Sequence, residues 1–229
     1  MHEFLLYMAP MEGITTPAFR KQCVECGADA TFTEMARISG LARNNKSTVQ
    51  KIEMPQNIPT YIQLSGPKEN ELNKFLSTFT PQPGFLGFNL NLGCPSPAVI
   101  REGAGCALIK RAAKVQQLVA CIKAHGYNAS VKLRLGRNQY EKEKKIYLKL
   151  IREVDADFFI VHARHGKERE EDPADTSVYP ECVATGKIII ANGDIQTKKQ
   201  IEELNAMGVR GAMIGRAAVN NPKIFSLLR

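Results

Sequence analysis

The sequence predicts an α/β fold, a (β/α)8 TIM barrel that forms a single domain over residues 1–229. Short apolar and β-branched runs alternate with amphipathic stretches along the whole chain, a pattern typical of a parallel sheet with helices on its faces. Eight such runs occur, and eight parallel strands close a barrel. The chain of 229 residues is slightly shorter than the typical barrel of about 250 residues. No segment has the composition of a linker, so we expect no second domain.

The eight predicted strands are separated by segments with helical periodicity. The strands are Leu5–Ala9, Ala30–Thr33, Thr60–Leu64, Phe85–Leu90, Ser130–Leu135, Phe158–His162, Lys187–Ala191 and Gly211–Ile214. The predicted helices include Pro17–Cys26, Glu69–Thr78, Ala112–His125, Glu141–Val154 and Lys198–Met207. In the fourth of these helices, apolar residues recur at helical spacing and the charged residues form an outer, solvated face.

Charge and composition narrow the classes of partner. The formal net charge of +8 favours a polyanionic partner such as nucleic acid, because clustered Lys and Arg release counterions from phosphates. No secretory signal and no apolar run of about 18 residues is present, so we expect a cytoplasmic protein without a membrane partner. Cys23 and Cys26 form a lone CxxC inside a predicted helix with no nearby His, so we expect no metal site.

Residues suited to ligand contact gather where the strands end, which is where TIM barrels build their active sites. They are Pro10, Met11, Gln63, Asn91, Cys94, Lys132, Arg134, His162, Arg164, Asn192, Gly193, Asp194, Gly215 and Arg216. Because side chains alternate along a strand, Lys132 and Arg134 share one face, as do His162 and Arg164. Cations and an imidazole that converge on a barrel mouth favour an anionic or polar ligand.

Two glycine positions indicate where a phosphate would bind. Gly193 and Gly215 allow close approach to backbone N–H groups, and each is predicted to stand at the mouth of a following helix. Barrels often bind phosphate between the loops after strands seven and eight, where Arg216 adds a bidentate contact. FMN and a sugar phosphate both fit this pattern.

A cysteine on a tight turn stands out after the fourth strand. The run Asn91-Leu-Gly-Cys94-Pro-Ser96 places a thiol at the strand end, whereas most free cysteines are buried and inert. Cys106 lies on a Gly-rich segment that leads into a helix, and we expect it to be a packing residue.

Seven motifs, in order along nearly the whole chain, together resemble those of the dihydrouridine synthases. They are Ala9-Pro-Met-Glu-Gly-Ile-Thr-Thr-Pro-Ala-Phe-Arg20, Asn91-Leu-Gly-Cys-Pro-Ser96, Gly103-Ala-Gly-Cys-Ala-Leu108, Val131-Lys-Leu-Arg-Leu-Gly136, His162-Ala-Arg164, Asn192-Gly-Asp-Ile195 and Gly211-Ala-Met-Ile-Gly-Arg216. Each motif alone is weak, but the ordered set is specific. The resemblance implies an FMN-dependent barrel that reduces the C5–C6 double bond of uridines in RNA, usually tRNA, with NADPH as the reductant of the flavin.

The resemblance also implies a role for each matching residue. Cys94 would be the general acid that protonates C5, since an ordinary thiol with a pKa of about 8.5 keeps its proton at neutral pH. Asn91, Arg134 and Arg164 would bind the uracil. The FMN-binding residues would be Pro10, Met11, Glu12, Gln63, Lys132, His162, Asn192, Gly193, Asp194, Gly215 and Arg216.

Basic residues after several strands form a predicted rim for RNA. They are Arg37, Arg43, Lys46, Arg101, Lys110, Arg111, Arg137, Lys167 and Arg169, and an acidic stretch from 168 to 172 interrupts them. Members of the family commonly carry a helical RNA-binding domain after the barrel. We expect this sequence to be either a truncated chain or a minimal member that binds RNA through the barrel rim or a partner. Two other interpretations stay open at this point: an FMN barrel that acts on a small molecule, like dihydroorotate dehydrogenase, and a non-catalytic RNA-binding barrel.

Overall fold

The predicted barrel is present in the computed structural model, which describes residues 3–54 and 57–229. Its strands are β1 (Leu5–Met8), β2 (Thr31–Phe32), β3 (Ala36–Arg37), β4 (Thr60–Ser65), β5 (Phe85–Leu92), β6 (Ala129–Arg134), β7 (Phe159–His162), β8 (Ile189–Asn192) and β9 (Gly211–Ile214). All pairings are parallel, in the order β1-β9-β8-β7-β6-β5-β4-β2. A bridge between Tyr7 and Ala30 joins the two edges. These pairings make a nearly closed (β/α)8 barrel.

Helices follow the strands on the outside of the barrel. They are α1 (Pro17–Glu25), α2 (Ile38–Leu41), α3 (Lys46–Gln50), α4 (Glu69–Leu76), α5 (Pro97–Arg101), α6 (Ala112–Ala124), α7 (Gln139–Glu143), α8 (Ile146–Glu153), α9 (Tyr179–Val183), α10 (Lys198–Ala206), α11 (Arg216–Asn220) and α12 (Ile224–Leu227). Two short 3₁₀ segments cover Gly105–Leu108 and Thr176–Val178. Over the described residues, no helix is both long enough and apolar enough to traverse a bilayer.

Two predicted elements differ in detail from the structure. The predicted strand Ala30–Thr33 contains β2, and a further two-residue strand, β3, follows outside the predicted bounds and also pairs with β4. The predicted helix Glu141–Val154 is broken into α7 and α8 at Lys145, whose φ of 51° is left-handed. No residue of α7 is buried, whereas α8 buries four side chains, so α7 has no apolar face that would hold it in line with α8.

An aromatic layer fills the barrel below the strand ends. Phe32 and Tyr61 stack at 5.1 Å between ring centroids, and Tyr7 and Phe158 pack around them. These rings and the neighbouring aliphatic residues form a cluster inside the barrel, separate from the core between sheet and helices. The interior of the barrel is therefore filled by side chains.

Candidate active site

The barrel mouth contains one continuous recess. Two adjoining cavities of about 290 and 220 Å³ share five lining residues, namely Pro10, Met11, Lys132, Arg134 and His162. The first cavity extends over the loops after β7, β8 and β9, and the second extends over the loops after β4 and β5. The structure brings every predicted site residue to this recess. The remaining ones are Glu12, Gln63, Asn91, Cys94, Arg164, Asn192, Gly193, Asp194, Gly215 and Arg216.

The loop that carries Cys94 is held from both sides. On one side, Asn91 Oδ1 accepts hydrogen bonds from the backbone N–H groups of Gly93 at 3.1 Å and Cys94 at 3.0 Å. On the other side, Cys106 donates from its backbone nitrogen to the Cys94 carbonyl and from Sγ to the Gly93 carbonyl, both at 3.0 Å. Cys106 is buried, in agreement with the packing role expected for it, and burial raises its pKa to about 11. Cys94 itself is half-buried and faces the recess.

A chain of amide hydrogen bonds supports Asn91 from within the barrel. Asn91 Nδ2 donates to Gln63 Oε1, Gln63 Nε2 donates to Asn89 Oδ1, and Asn89 Nδ2 donates to Ser130 Oγ, at 2.8 to 2.9 Å. Backbone N–H groups can only donate, so the Asn91 atom that faces them is oxygen, which fixes the orientation of every other amide in the chain. The strand register explains the contacts, since Gln63, Asn89 and Ser130 are neighbours across β4, β5 and β6.

Lys132 is a cation that lines both cavities of the recess. Its neighbours Val131, Leu133 and Leu135 are buried towards the helices, so the predicted alternation of faces along β6 is confirmed. Within the described residues, Lys132 Nζ makes no hydrogen bond or ion pair. Burial and, secondarily, the charge of Arg134 lower the pKa of Lys132 to about 8. An anionic group in the recess would pair with Lys132 Nζ and raise its pKa.

His162 is surrounded by positive charge and stays neutral. Burial and the nearby cations Lys132, Arg134, Arg164 and Arg216 lower its pKa to about 2. Arg164 Nη1 lies 3.2 Å from His162 Nε2. Because a guanidinium only donates, Nε2 accepts and the ring proton is on Nδ1. His162 can therefore donate one hydrogen bond to a ligand at neutral pH.

Asp194 links the two arginines of the recess. Its carboxylate pairs with Arg164 through Oδ2 and with Arg216 through Oδ1, the latter at 2.7 Å. Arg164 is buried and also donates to the carbonyls of Asp172 and Glu170, which ties the loop after β7 to the barrel. Arg216 is half-exposed and also contacts Glu170 at 3.2 Å. The structure thus gives Arg164 protein partners and leaves Arg216 closer to solvent; the predicted role of Arg164 in uracil binding stays a prediction.

The two glycines predicted at helix mouths differ in their surroundings. Gly215 directly precedes α11 as its N-terminal cap. Gly193 does not stand at the mouth of a helix, because α10 is capped by Thr197 through a capping box four residues later. Gly193 has a φ of +125°, and a Cβ there would lie 2.9 Å from Ala174. Glycine is therefore required both by this backbone conformation and by the close packing of the loops after β7 and β8. The neighbouring Asn192 donates from Nδ2 to the Met213 carbonyl at 2.8 Å.

Hydrogen bonds fix the loop after β1 at the edge of the recess. The Thr15 hydroxyl donates to the Met11 carbonyl at 3.1 Å, and the Ala9 nitrogen donates to the Ile214 carbonyl at 2.8 Å. Glu12 is exposed at the rim and pairs with Lys51. Pro10 and Met11 are thereby held over the edge of the recess that adjoins Gly215.

Nearly the whole chain matches one sequence family. The family described as "Dihydrouridine synthase (Dus)" matches this chain over residues 7–228. The chain belongs to the dihydrouridine synthase family. As a member it is a flavin-dependent oxidoreductase with a TIM barrel, as the ordered motifs implied.

Individual relatives of the dihydrouridine synthase family match nearly the whole chain. A probable tRNA-dihydrouridine synthase of Helicobacter pylori strain 26695 is 31% identical over 234 residues, which cover 98% of this chain and 70% of the relative. Probable tRNA-dihydrouridine synthase 2 of Bacillus subtilis strain 168 is 31% identical over 229 residues, which cover 95% of this chain and 70% of the relative. Among solved structures, a mutant active chimera of (S)-mandelate dehydrogenase superposes with a TM-score of 0.60 at 14% identity. It covers 99% of this chain and 74% of that one, and shows the fold alone.

Several residues at the dihydrouridine synthase recess were not singled out as ligand contacts from the sequence. Met35, Glu168 and Glu170 line it from loops, where no periodic pattern identifies a direction. Asn89 and Ser130 lie beneath it and support Asn91. The alternation of strand faces could have identified these two, because Asn89 shares a face with Asn91 on β5 and Ser130 shares a face with Lys132 on β6.

The predicted basic rim is mostly free of counterions. Arg37 pairs with Glu102 at 2.9 Å, and over the described residues it is the one predicted rim cation that has an ion-pair partner. The other rim residues are exposed or half-buried on segments after the strands. The rim can therefore attract a polyanion without first breaking internal ion pairs.

Proposed function

We propose that this protein reduces the C5–C6 double bond of selected uridines in tRNA to 5,6-dihydrouridine, with bound FMN and with NADPH as the reductant. The observation that carries the proposal is the position of Cys94. Its loop is fixed by Asn91, and the same recess contains Lys132, Arg134 and His162. A proton donor, a cationic floor and an amide network in one recess match the reduction of a conjugated carbonyl compound.

The residues of the recess fit FMN. Lys132, which has no counterion within the described residues, and Arg216, which is half-exposed beside Gly215, both bring positive charge to the same cavity. The phosphate would be held by Gly193, Gly215 and Arg216, and Asp194 positions Arg216. Pro10, Met11, Glu12, Gln63, Lys132, His162 and Asn192 would hold the rest of the group. Bound FMN supplies the hydride that C6 of the uracil accepts.

Cys94 completes the reduction. Hydride addition at C6 leaves negative charge on C5 and the C4 carbonyl, and the Cys94 thiol transfers its proton to C5, so that the double bond gains one hydride and one proton. Arg134 stabilises the developing charge; its Nη1 is held by the His165 carbonyl at 2.8 Å, which keeps the guanidinium at the recess. Asn91, Arg134 and Arg164 are the proposed uracil-binding residues.

RNA binding is supported by the rim. A uridine in a folded tRNA has to be extruded into the recess, which costs a few kcal/mol. Cations around the mouth offset this cost through phosphate contacts, so the affinity for tRNA should fall steeply with added salt. A cytoplasmic location and a single-domain organisation stay predictions.

The test compares Cys94→Ala with a cysteine control outside the site. The wild-type protein should be yellow. When it acts on tRNA from a strain that lacks dihydrouridine, mass spectrometry should detect dihydrouridine in that tRNA. Cys94→Ala should keep its flavin and its NADPH oxidation but lose at least 100-fold of its rate of uridine reduction (about 3 kcal/mol). Cys26→Ala, which alters another half-buried cysteine at the end of α1, should behave like the wild type.

Other outcomes would point to other functions. Unchanged dihydrouridine formation in Cys94→Ala would refute the acid role. A flavin-containing protein that reduces a small molecule and leaves tRNA unmodified would favour the dihydroorotate-dehydrogenase-like alternative. A colourless protein that cannot be reconstituted with FMN but binds RNA would favour a non-catalytic barrel.

A further inference from the structure

A separate cavity of about 320 Å³ lies on the far side of the Cys94 loop. Pro95 and Cys106 form its wall towards the recess, Arg137 and Asn138 line it from the loop after β6, and Lys167 lines it from the loop after β7. None of these residues was given a contact with the uracil or the flavin above, although Arg137 and Lys167 belong to the basic rim. We call this feature the Arg137 cavity.

The cavity exists because two loops touch at Gly166. The Gly166 nitrogen donates to the Gly136 carbonyl at 2.8 Å. A Cβ at position 166 would lie 3.1 Å from the Arg137 carbonyl oxygen and 3.3 Å from Cys106 Sγ. A side chain there would push the loops apart, so the glycine allows Arg137 and Lys167 to line the same space.

The charged groups at the Arg137 cavity are exclusively cationic. Over residues 3–54 and 57–229, neither the Arg137 guanidinium nor the Lys167 ammonium has a hydrogen-bond or ion-pair partner. The Glu141 carboxylate on the adjoining helix accepts from the backbone nitrogen of Arg137 at 2.7 Å, and it therefore fixes the loop without pairing with the guanidinium. Two cations that share a cavity repel each other, and an anion between them removes that cost.

We propose that the Arg137 cavity binds one backbone phosphate of the RNA beside the uridine that enters the recess. The proposal rests on the function proposed above. Pro95, next to Cys94, lines both the cavity and the recess. A strand that places its base over Cys94 would therefore pass the cavity with an adjacent phosphodiester. Phosphate contacts set register and orientation without reading sequence. The bound phosphate would thus fix the depth to which the uracil enters, whatever the neighbouring bases are.

The experiment measures the salt dependence of tRNA binding for Arg137→Gln/Lys167→Gln. The probe is tRNA isolated from a strain that lacks dihydrouridine. Loss of one phosphate contact should reduce the slope of log Kobs against log[KCl] by about 0.7 to 0.9 and weaken binding about tenfold near physiological salt. The matched control is Lys149→Gln/Arg152→Gln, which removes the same charges from the exposed face of α8. It should leave the slope unchanged, as should the charge-conserving Arg137→Lys.

The outcomes separate this proposal from the proposed function. A slope for Arg137→Gln/Lys167→Gln equal to that of the control would overturn the phosphate site, even if the wild type forms dihydrouridine. An unchanged slope with a raised KM for NADPH would assign the cavity to the phosphate of the reductant and overturn the RNA assignment. Failure of the wild type to bind flavin or reduce uridine would refute the proposed function, while a reduced slope in the variant would still support the cavity.

Discussion

Asn91 Oδ1 lies 3.0 Å from the backbone nitrogen of Cys94 and accepts its hydrogen bond. The same oxygen accepts from Gly93, and Nδ2 of Asn91 donates to Gln63. One Nδ2 hydrogen therefore remains for a substrate. Asn91 can contact uracil, as predicted, but most of its hydrogen-bonding capacity shapes the turn that presents the thiol.

Asn91→Ala should loosen the Cys94 turn without emptying the flavin site. Two partly buried backbone N–H groups lose their acceptor, which costs about 1 kcal/mol each and lets the turn move. We therefore expect uridine reduction to fall by about 10- to 100-fold with normal flavin content. The alkylation rate of Cys94 by iodoacetamide should change as well. Asn91→Asp keeps the acceptor oxygen and should lose less activity. Equal losses in both variants with unchanged alkylation would indicate direct uracil contact as the main role.

Gly105→Ala should damage the same loop from the other side. Gly105 has a φ of +57°, and a Cβ there would lie 2.4 Å from the Cys94 carbonyl oxygen. We expect the free energy of unfolding, measured by urea titration, to fall by more than about 2 kcal/mol. Uridine reduction should be lost as well. Gly126→Ala is the matched control, because its φ of +81° is also left-handed but no atom lies within 4 Å of the added carbon. It should cost about 1 kcal/mol, and equal costs for both variants would contradict the steric argument.

Lys132→Met should stabilise the flavin-free protein at pH 7. The folded-state pKa of Lys132, about 8, is below its ordinary 10.5, so between these values the unfolded chain binds the extra proton. The free energy of unfolding of the wild type therefore rises with pH across this window. We expect Lys132→Met to be more stable by about 1 to 3 kcal/mol at pH 7, with the difference shrinking by pH 10. Urea unfolding at both pH values checks this; the exposed Lys74→Met is the control, and a destabilised Lys132→Met would contradict it.

Arg216→Ala and Glu170→Gln should move FMN affinity in opposite directions. In the proposed function Arg216 contacts the FMN phosphate, so its loss should raise the Kd for FMN by 10- to 100-fold in a fluorescence titration of the flavin-free protein (about 1.5 to 3 kcal/mol). Glu170 competes for Arg216 through an exposed contact of 3.2 Å, worth at most about 1 kcal/mol. Its neutralisation should lower the Kd by no more than about fivefold. Weaker binding in Glu170→Gln would show that this contact positions Arg216 instead of competing for it.

The strand faces were predictable from the sequence because alternation is imposed by the backbone itself. Lys132 and Arg134 were assigned to the mouth and Leu133 to the helix side on this basis, and the structure confirms the assignment. The family was predictable because its motifs recur in fixed order. The barrel was predictable because eight apolar or β-branched runs alternate with helical segments along the chain.

The remaining features depend on contacts between segments that are distant in the sequence. Lys145 begins a new helix in a left-handed conformation, although neither glycine nor proline marks the position. Asp194 was predicted to bind the cofactor, but its pairing with Arg164 and Arg216 depends on how three loops meet. The reason for glycine at position 166 is apparent only in the structure, where the Arg137 carbonyl oxygen lies close to it. Periodicity in the sequence carries no information on contacts between distant segments.

The charge of Lys132 should affect how fast the protein is degraded in a cell. A chain that has not yet acquired its ligand retains an unrelieved cation in its barrel, and a bound anion stabilises the native state by mass action. Proteases act on the opened population, which a difference of 1 to 2 kcal/mol changes several-fold. Newly made barrels would then be degraded faster when riboflavin is scarce, and the cellular level of the protein would follow vitamin supply without any change in its synthesis.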